Sequence, residues 1–274
     1  MTGTYVYDVG MHNGDDTAYY LHKGCRVLAI EANPLLIPAA ERRFAAELAA
    51  GRLRIVNVAI AATAGEAELF VPTGVELGGS LVESNAARFG RPMQRVRVRC
   101  QPFTAILAEH GVPHYAKIDI EGHDRLCLDA LTPGHCPPYL SIEMSHADGD
   151  ADIRRLAELG FRGFKCVRQN DLAVIGPAEL PFQLALRRRR LRGGLQSLAV
   201  RAVRRLARTL RPARDGDWDF AHGASGPFGA ALTGEWLDLE AMLAVWQALH
   251  DIDAELGAGG IGEWFDVHAA LVTG

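Results

Sequence analysis

Near its start the chain reads Asp8-Val9-Gly10-Met11-His12-Asn13-Gly14-Asp15-Asp16-Thr17. The two glycines permit a tight turn and close approach of a ligand to the backbone. One acid precedes the first glycine and two follow the second, so the turn carries three carboxylates. Such a loop repels a pyrophosphate and draws a ligand with positive charge and no phosphate. Glu31 closes the apolar run "RVLAIE", where a carboxylate can accept from both hydroxyls of a ribose. S-adenosylmethionine meets all these demands: it has a ribose, an ammonium and a sulfonium, and no phosphate. Asp8 is then expected to accept from the ammonium, directly or through water. A dinucleotide would require GxGxxG in this turn, so a nicotinamide-dependent oxidoreductase is disfavoured. The plain alternatives are that Asp8 caps a turn and Glu31 merely ends a strand.

A second group of reactive side chains follows in "AKIDIEGHD" and "PYLSIEMSHAD". If the methyl group of such a donor goes to a hydroxyl, a side chain must remove the proton. His146 or His123 is the expected base, because histidine ordinarily titrates near neutrality; Asp119 and Glu143 are further candidates. The bland reading of His123 is an exposed residue at a helix start. Asp119, Glu121, Glu143, His146 and Asp148 also suit a metal by ligand type, a reading ranked below a metal-free site. Lys117 interrupts an apolar strand and needs a carboxylate partner, with Asp8 or Glu143 as candidates; its role is structural on the simplest view.

These residues need elements to hold them. Tyr5–Gly10, Arg26–Glu31 and Leu53–Ile60 read as strands, separated by helices over Asp15–Lys23 and Leu35–Ala50, each with a glycine stop. Short connections make the sheet parallel. "GEAELFVPT" and "QRVRVRCQPF" alternate as an inserted hairpin or edge excursion. Further strands are expected at "HYAKIDIEGHD", "PYLSIEM", "FRGFKCVRQ" and "EWFDVHA", with helices over Phe103–His110, Asp124–Leu131 and Ala151–Leu159. The expected organisation is a cofactor-binding core over residues 1–175, a mainly helical insert over 176–256, and a return strand over 257–274. The apolar helix from Leu237 to Leu256, with Met242, Val245, Trp246 and Leu249, packs either on its own sheet or on a partner.

Of 274 residues, 49% are hydrophobic and 23% charged, enough for a substantial core. The net charge of −4 gives no global pull toward nucleic acid. Eleven arginines and no acid lie between Arg187 and Arg214, leaving 18 basic against 33 acidic residues elsewhere. That segment is a solvated helix face, a platform for an acidic acceptor, or an attachment to an anionic membrane or nucleic acid. Leu195, Leu198, Ala202, Val203, Leu206 and Leu210 recur at helical spacing within it. It lacks interleaved aromatics, against single-strand stacking. His222, Ser225 and Trp236, in and after the glycine-rich "AHGASGPFG", either touch substrate or belong to a structural loop. Five scattered cysteines without CxxC spacing suggest free thiols in a reducing cytoplasm. No apolar run is long enough to span a membrane, and no export signal precedes Tyr5.

In chain order, "DVGMHNGDDT", "AIEANP", "NVAIAATAGEAELF" and "AKIDIEGHD" resemble the FkbM-type methyltransferase family over about Tyr5 to Arg168. Met11 and His12 stand where that family usually has Ala and Asn. Gln101-Pro102-Phe103-Thr104 replaces its usual T-L-D, so any role of that acid is lost. The resemblance implies a class I Rossmann-like α/β fold, a mostly parallel seven-stranded sheet with helices on both faces. It implies S-adenosylmethionine as methyl donor and, as acceptor, a hydroxyl of a small molecule, natural product or glycan; on the platform reading of the arginine-rich segment that acceptor is acidic or carrier-bound. Asp8, Gly10, Gly14 and Thr17 would line the methionine end, with His12 in the same loop. Glu31 would hold the ribose, flanked by Ala32 and Asn33; Asn57 and Ala59 would border the adenine. Ser80 would lie near the cofactor, and Asp119 and Glu121 would face the reaction centre. N-methylation of an amine, or a binding module that has lost turnover, are the alternatives.

Overall fold

The computed structural model describes residues 3–74, 79–87, 90–145, 148–191, 213–221, 223–255 and 264–271. The chain divides into two compact units, Met1–Ile142 and Glu143–Gly274.

The first unit runs β1 (Tyr5–Val9), α1 (Asp15–His22), β2 (Arg26–Ile30), α2 (Ile37–Arg43), α3 (Ala45–Ala49), β3 (Leu53–Val56), β4 (Ala59–Ile60), β5 (Gly65–Pro72), α4 (Glu83–Ala87), β6 (Met93–Gln101), α5 (Phe103–His110), β7 (Tyr115–Ile118), α6 (Asp124–Asp129) and β8 (Tyr139–Glu143). Strands β3, β2, β1, β7 and β8 pair in that order, all parallel. Val6, Tyr7, Val9, Leu28, Ala29, Tyr115 and Ile118 are buried, as parallel strands covered on both faces demand. Since β1 pairs with β2 on one side and β7 on the other, the strand order reverses there. Ligands of open α/β sheets bind at the carboxyl ends of strands at that point.

Two elements differ from expectation. The helix expected over Leu35–Ala50 breaks at Phe44, whose backbone leaves the helical region at φ −113° and ψ 25°. Phe44 is buried, and a Cβ on Gly14 would lie 2.6 Å from its ring. The break therefore accompanies a ring seated on the first glycine loop. The strand expected over Leu53–Ile60 also divides. Its second part, β4, joins β6 and β5 in a separate three-stranded sheet, the expected excursion. Ala59, Leu69, Val98 and Cys100 form that sheet's small core, and Glu66, Glu68, Arg95 and Arg97 pair across its exposed face.

The second unit carries α7 (Gly149–Glu158), β9 (Gly163–Arg168), β10 (Ala173–Ile175), α8 (Leu180–Leu191), the short ribbon β11 (Arg214–Asp215) and β12 (Trp218–Asp219), α9 (Leu239–Glu255) and β13 (Phe265–Ala270). Strand β9 pairs antiparallel with both β13 and β10. Among the described residues the sheet has one strand more than the seven expected. The extra one is β10, which follows β9 through a turn containing Leu172 at φ 56°. The fold is α/β and Rossmann-like, with a mostly parallel strand arrangement. Met242, Val245, Trp246 and Leu249 of α9 are buried in the second unit, where α9 meets α7 and β9. The helix is thus used within the chain. Ser225 is buried and Trp236 lies against the Lys165 ammonium at 4.1 Å. His222, and the amphipathic helix expected within 192–212, lie outside the described residues. All five cysteines are free and buried. Among the described residues, no helix is long and apolar enough to cross a membrane.

Candidate functional site

Strand β1 delivers Asp8 to the sheet interior beside Lys117 of β7, its register partner. Both are buried. The Lys117 ammonium lies 3.6 Å from Asp8 Oδ1, 3.6 Å from Asp119 Oδ2 and 4.0 Å from Asp16 Oδ2, and it donates to the Gly10 carbonyl at 2.8 Å. Asp8 is thus one of the partners expected for Lys117. Thr17 Oγ donates to Asp8 Oδ2 at 2.6 Å, while Asp8 Oδ1 has no hydrogen-bond partner among the described residues. Burial pushes the Asp8 carboxyl up, and the Lys117 ammonium and Thr17 hydroxyl pull against that rise. Three carboxylates around one ammonium leave the cluster anionic. Among the three, Asp119 is the most open, its side chain 25% exposed against 0% for Asp8 and 9% for Asp16.

The loop after β1 presses on the loop after β7. A Cβ on Gly10 would sit 1.7 Å from the Asp119 carbonyl oxygen, and Gly10 has φ +87°; both facts require glycine. His12 and Glu121, non-glycine residues at φ 53° and 57°, stand in these two loops. Such conformations persist where surrounding contacts over-determine them. For Glu121 the contacts are visible: its carbonyl accepts from Ser80 Oγ at 2.7 Å and from Asn85 Nδ2 at 3.0 Å. The Asp124 carboxylate accepts the Ile120 and Gly122 N–H groups, and burial raises its carboxyl, with Asp119 adding to the rise. Ser80 is therefore a clamp on the β7 loop.

Glu31, at the end of β2, is buried with both oxygens engaged. Oε2 accepts the His12 N–H and Oε1 the Asn33 N–H, each at 2.7 Å. A carboxylate has about four lone-pair directions, so each oxygen keeps an acceptor direction beyond these bonds. Burial raises the Glu31 carboxyl, and the Asn33 and His12 N–H groups oppose this. Asn57 donates to the Glu31 and Ala32 carbonyls at 2.7 and 3.2 Å, fixing the same corner. Ala59 is buried in the side-sheet core, against which Ala32 packs. Arg43 bonds Asn13 O and Asp15 Oδ1, each at 2.8 Å, tying α2 to the glycine loop.

The first unit thus brings together Asp8, Gly10, His12, Gly14, Thr17, Glu31, Ala32, Asn33, Asn57, Ser80, Asp119 and Glu121. His123 caps α6 in the same unit, half-buried. Its Nδ1 is buried without a hydrogen-bond partner among the described residues. Glu143, the last residue of β8, falls one residue past the end of the first unit, and His146 lies outside the described residues. Phe44, Asn85 and Asp124 support the site and were not anticipated. Asp124 left a local signal, an acid shortly after a Gly-containing loop whose N–H groups it can take. Asn85 left none, because its partner is 36 residues away. Among the described residues, no group of three or more His, Cys, Asp or Glu is placed to hold a metal.

The site suits a donor bearing ribose and ammonium. Glu31 offers free acceptor directions at one end, Asp119 an accessible carboxylate at the other, and the glycine turn keeps the intervening backbone bare. A pyrophosphate meets only net negative charge there.

The Methyltransferase FkbM domain matches residues 8–163 of this chain. No curated protein sequence matches it. Among solved structures it is similar to a precorrin-6y C5,15-methyltransferase from Geobacter metallireducens, at 14% identity and TM-score 0.36, covering 61% of this chain and 68% of the other. It is also similar to a SAM-dependent methyltransferase from Thiobacillus denitrificans in complex with S-adenosyl-L-homocysteine, at 11% identity and TM-score 0.34, covering 100% and 86%. A SAM-dependent methyltransferase from Geobacter sulfurreducens, with the same ligand, gives the same four values: 11%, 0.34, 100% and 86%. At these identities and scores the likenesses carry nothing about substrate.

Proposed function

The chain belongs to the FkbM methyltransferase family, whose methyl donor is S-adenosylmethionine, and from that premise we propose that it methylates a hydroxyl of a small molecule or glycan. The observation that carries the choice of oxygen is His123, an imidazole with an unpartnered buried nitrogen at the start of α6, directly after the Asp119–Gly122 loop. A neutral amine acceptor would need no such group; a hydroxyl does.

S-adenosylmethionine supplies a methyl carbon on a positively charged sulfur. The acceptor oxygen forms its bond to that carbon as the carbon–sulfur bond breaks, and the hydroxyl proton passes to His123. Alignment and exclusion of water are the other tasks of the chain. Glu31 holds the ribose diol, the glycine turn admits the donor's backbone-facing edge, and Asp119 meets the ammonium. The arginine-rich segment over 187–214 supports an acidic acceptor, since it concentrates positive charge on an otherwise acidic chain. Five buried thiols suit a reducing, cytoplasmic setting.

The test is methyl transfer from S-adenosylmethionine to a panel of glycosides, sugar acids and primary amines, read by mass spectrometry. Methylation should fall on oxygen. His123→Ala should lower kcat on the order of 100-fold or more and leave the Kd for S-adenosylhomocysteine within about twofold. Methylation of amines alone, undiminished by His123→Ala, would replace this reading with N-methylation.

A further inference from the structure

A buried lysine among three carboxylates is an unusual wall for a site that receives a second ammonium. Asp8 is fully buried, its Oδ2 is taken by Thr17, and Lys117 stands 3.6 Å from its Oδ1. Lys117 also reaches across the strand boundary to the Gly10 carbonyl at 2.8 Å. Its third carboxylate contact, Asp119, belongs to the loop against which Gly10 is pressed. One ammonium therefore joins the loops after β1 and β7 and stands beside the Asp8 oxygen that Thr17 leaves free.

We propose that Lys117 is a positioning residue of the donor site: held on the Gly10 carbonyl, it satisfies Asp8 from within and leaves Asp119 as the carboxylate that meets the donor's own ammonium. This rests on the donor reading above and assigns the roles inside it. Asp8, the acid that sequence spacing puts nearest the ligand, becomes an internal counter-ion. The charged groups facing Lys117 are Asp8 from β1, Asp16 from α1 and Asp119 at the end of its own strand, with Glu31 acting from farther off. With all three near carboxylates ionised, the cluster keeps two negative charges beyond Lys117, enough to attract a cationic amino-acid group without freeing Asp8.

The experiment is calorimetric titration of the full chain with S-adenosylhomocysteine and with methylthioadenosine, which keeps adenine and ribose but lacks the amino-acid end. Four variants are compared: Asp8→Asn, Asp119→Asn, Lys117→Met and the double variant Asp8→Asn/Lys117→Met. Asp119→Asn and Lys117→Met should each weaken S-adenosylhomocysteine by about 10-fold or more, the effect of one lost charge-assisted contact. Both should leave methylthioadenosine within about threefold. Asp8→Asn should stay within about threefold for both ligands. The double variant removes the unpaired buried charge that Lys117→Met leaves behind, so its melting temperature should recover while its homocysteine-dependent affinity does not. Two results overturn the proposal. One is Asp8→Asn losing as much S-adenosylhomocysteine affinity as Asp119→Asn. The other is the double variant binding like wild type, which would make Lys117 a counter-ion only. Should Lys117→Met fail to fold, the comparison of Asp8→Asn with Asp119→Asn still decides. Wild-type protein that takes up neither ligand overturns the donor reading itself, before any variant is made.

Discussion

Gly10→Ala is expected to yield a chain that either fails to fold or binds no S-adenosylhomocysteine at concentrations that saturate wild type. The added methyl would sit 1.7 Å from the Asp119 carbonyl oxygen and 2.8 Å from its carbon. Backbone atoms cannot rotate aside, so the loops after β1 and β7 must part. Parting them also lengthens the Lys117 bond to the Gly10 carbonyl and disturbs Asp119. The left-handed backbone adds about 1–2 kcal/mol, and the overlap brings the total to roughly 4 kcal/mol or more. Gly51→Ala is the matched control. Gly51 also has positive φ, at +66°, but nothing lies within 4 Å of its Cβ position, so only about 1 kcal/mol should be lost. Melting curves of both variants, with and without S-adenosylhomocysteine, measure the difference. Equal effects would mean that the loop contact is not the reason for the glycine.

Glu31→Gln is expected to weaken S-adenosylhomocysteine and methylthioadenosine alike, by on the order of 100-fold or more. The carboxylate accepts two N–H groups at 2.7 Å. Its amide replacement would turn an NH2 toward one of them, leaving a buried donor unpaired at about 1–3 kcal/mol. It would also lose one charged acceptor for the ribose diol. The shared loss distinguishes Glu31, at the ribose, from Asp119, whose substitution spares methylthioadenosine. Acid should mimic the variant. Because burial holds the Glu31 carboxyl above its usual range, falling pH protonates it earlier than an exposed glutamate, and donor affinity falls with it. The stability linkage has the opposite sign. The folded state binds this proton more tightly than the unfolded one, so the Glu31 contribution to stability is best at low pH and declines as pH rises toward the raised folded value. Affinity measured at descending pH in wild type and Glu31→Gln separates the two: the variant should show no such fall from this group.

How much of this could be read from residues alone depended on range. The βαβ unit announces itself locally: glycines stop helices at Gly24 and Gly51, and apolar runs are strands because both faces are covered. Glu31 is legible as a candidate because a strand-ending acid is a short-range feature. The interruption at Phe44 was hidden, since the Leu35–Ala50 pattern is helical throughout and only the contact with Gly14 explains the break. The Ser80 and Asn85 clamps on Glu121 join segments that no periodicity connects. Asp8 is legible as the acid that ends the first strand, but its burial beside Lys117 depends on parallel register between β1 and β7, which spacing within either strand does not reveal.

The most direct measurement is titration of the wild-type chain with S-adenosylhomocysteine and, separately, with NAD. The account predicts saturable uptake of the homocysteine compound and no detectable heat from the dinucleotide, whose phosphates would meet the net negative charge that Asp8, Asp16 and Asp119 leave around Lys117. Tight NAD uptake without binding of S-adenosylhomocysteine would contradict it.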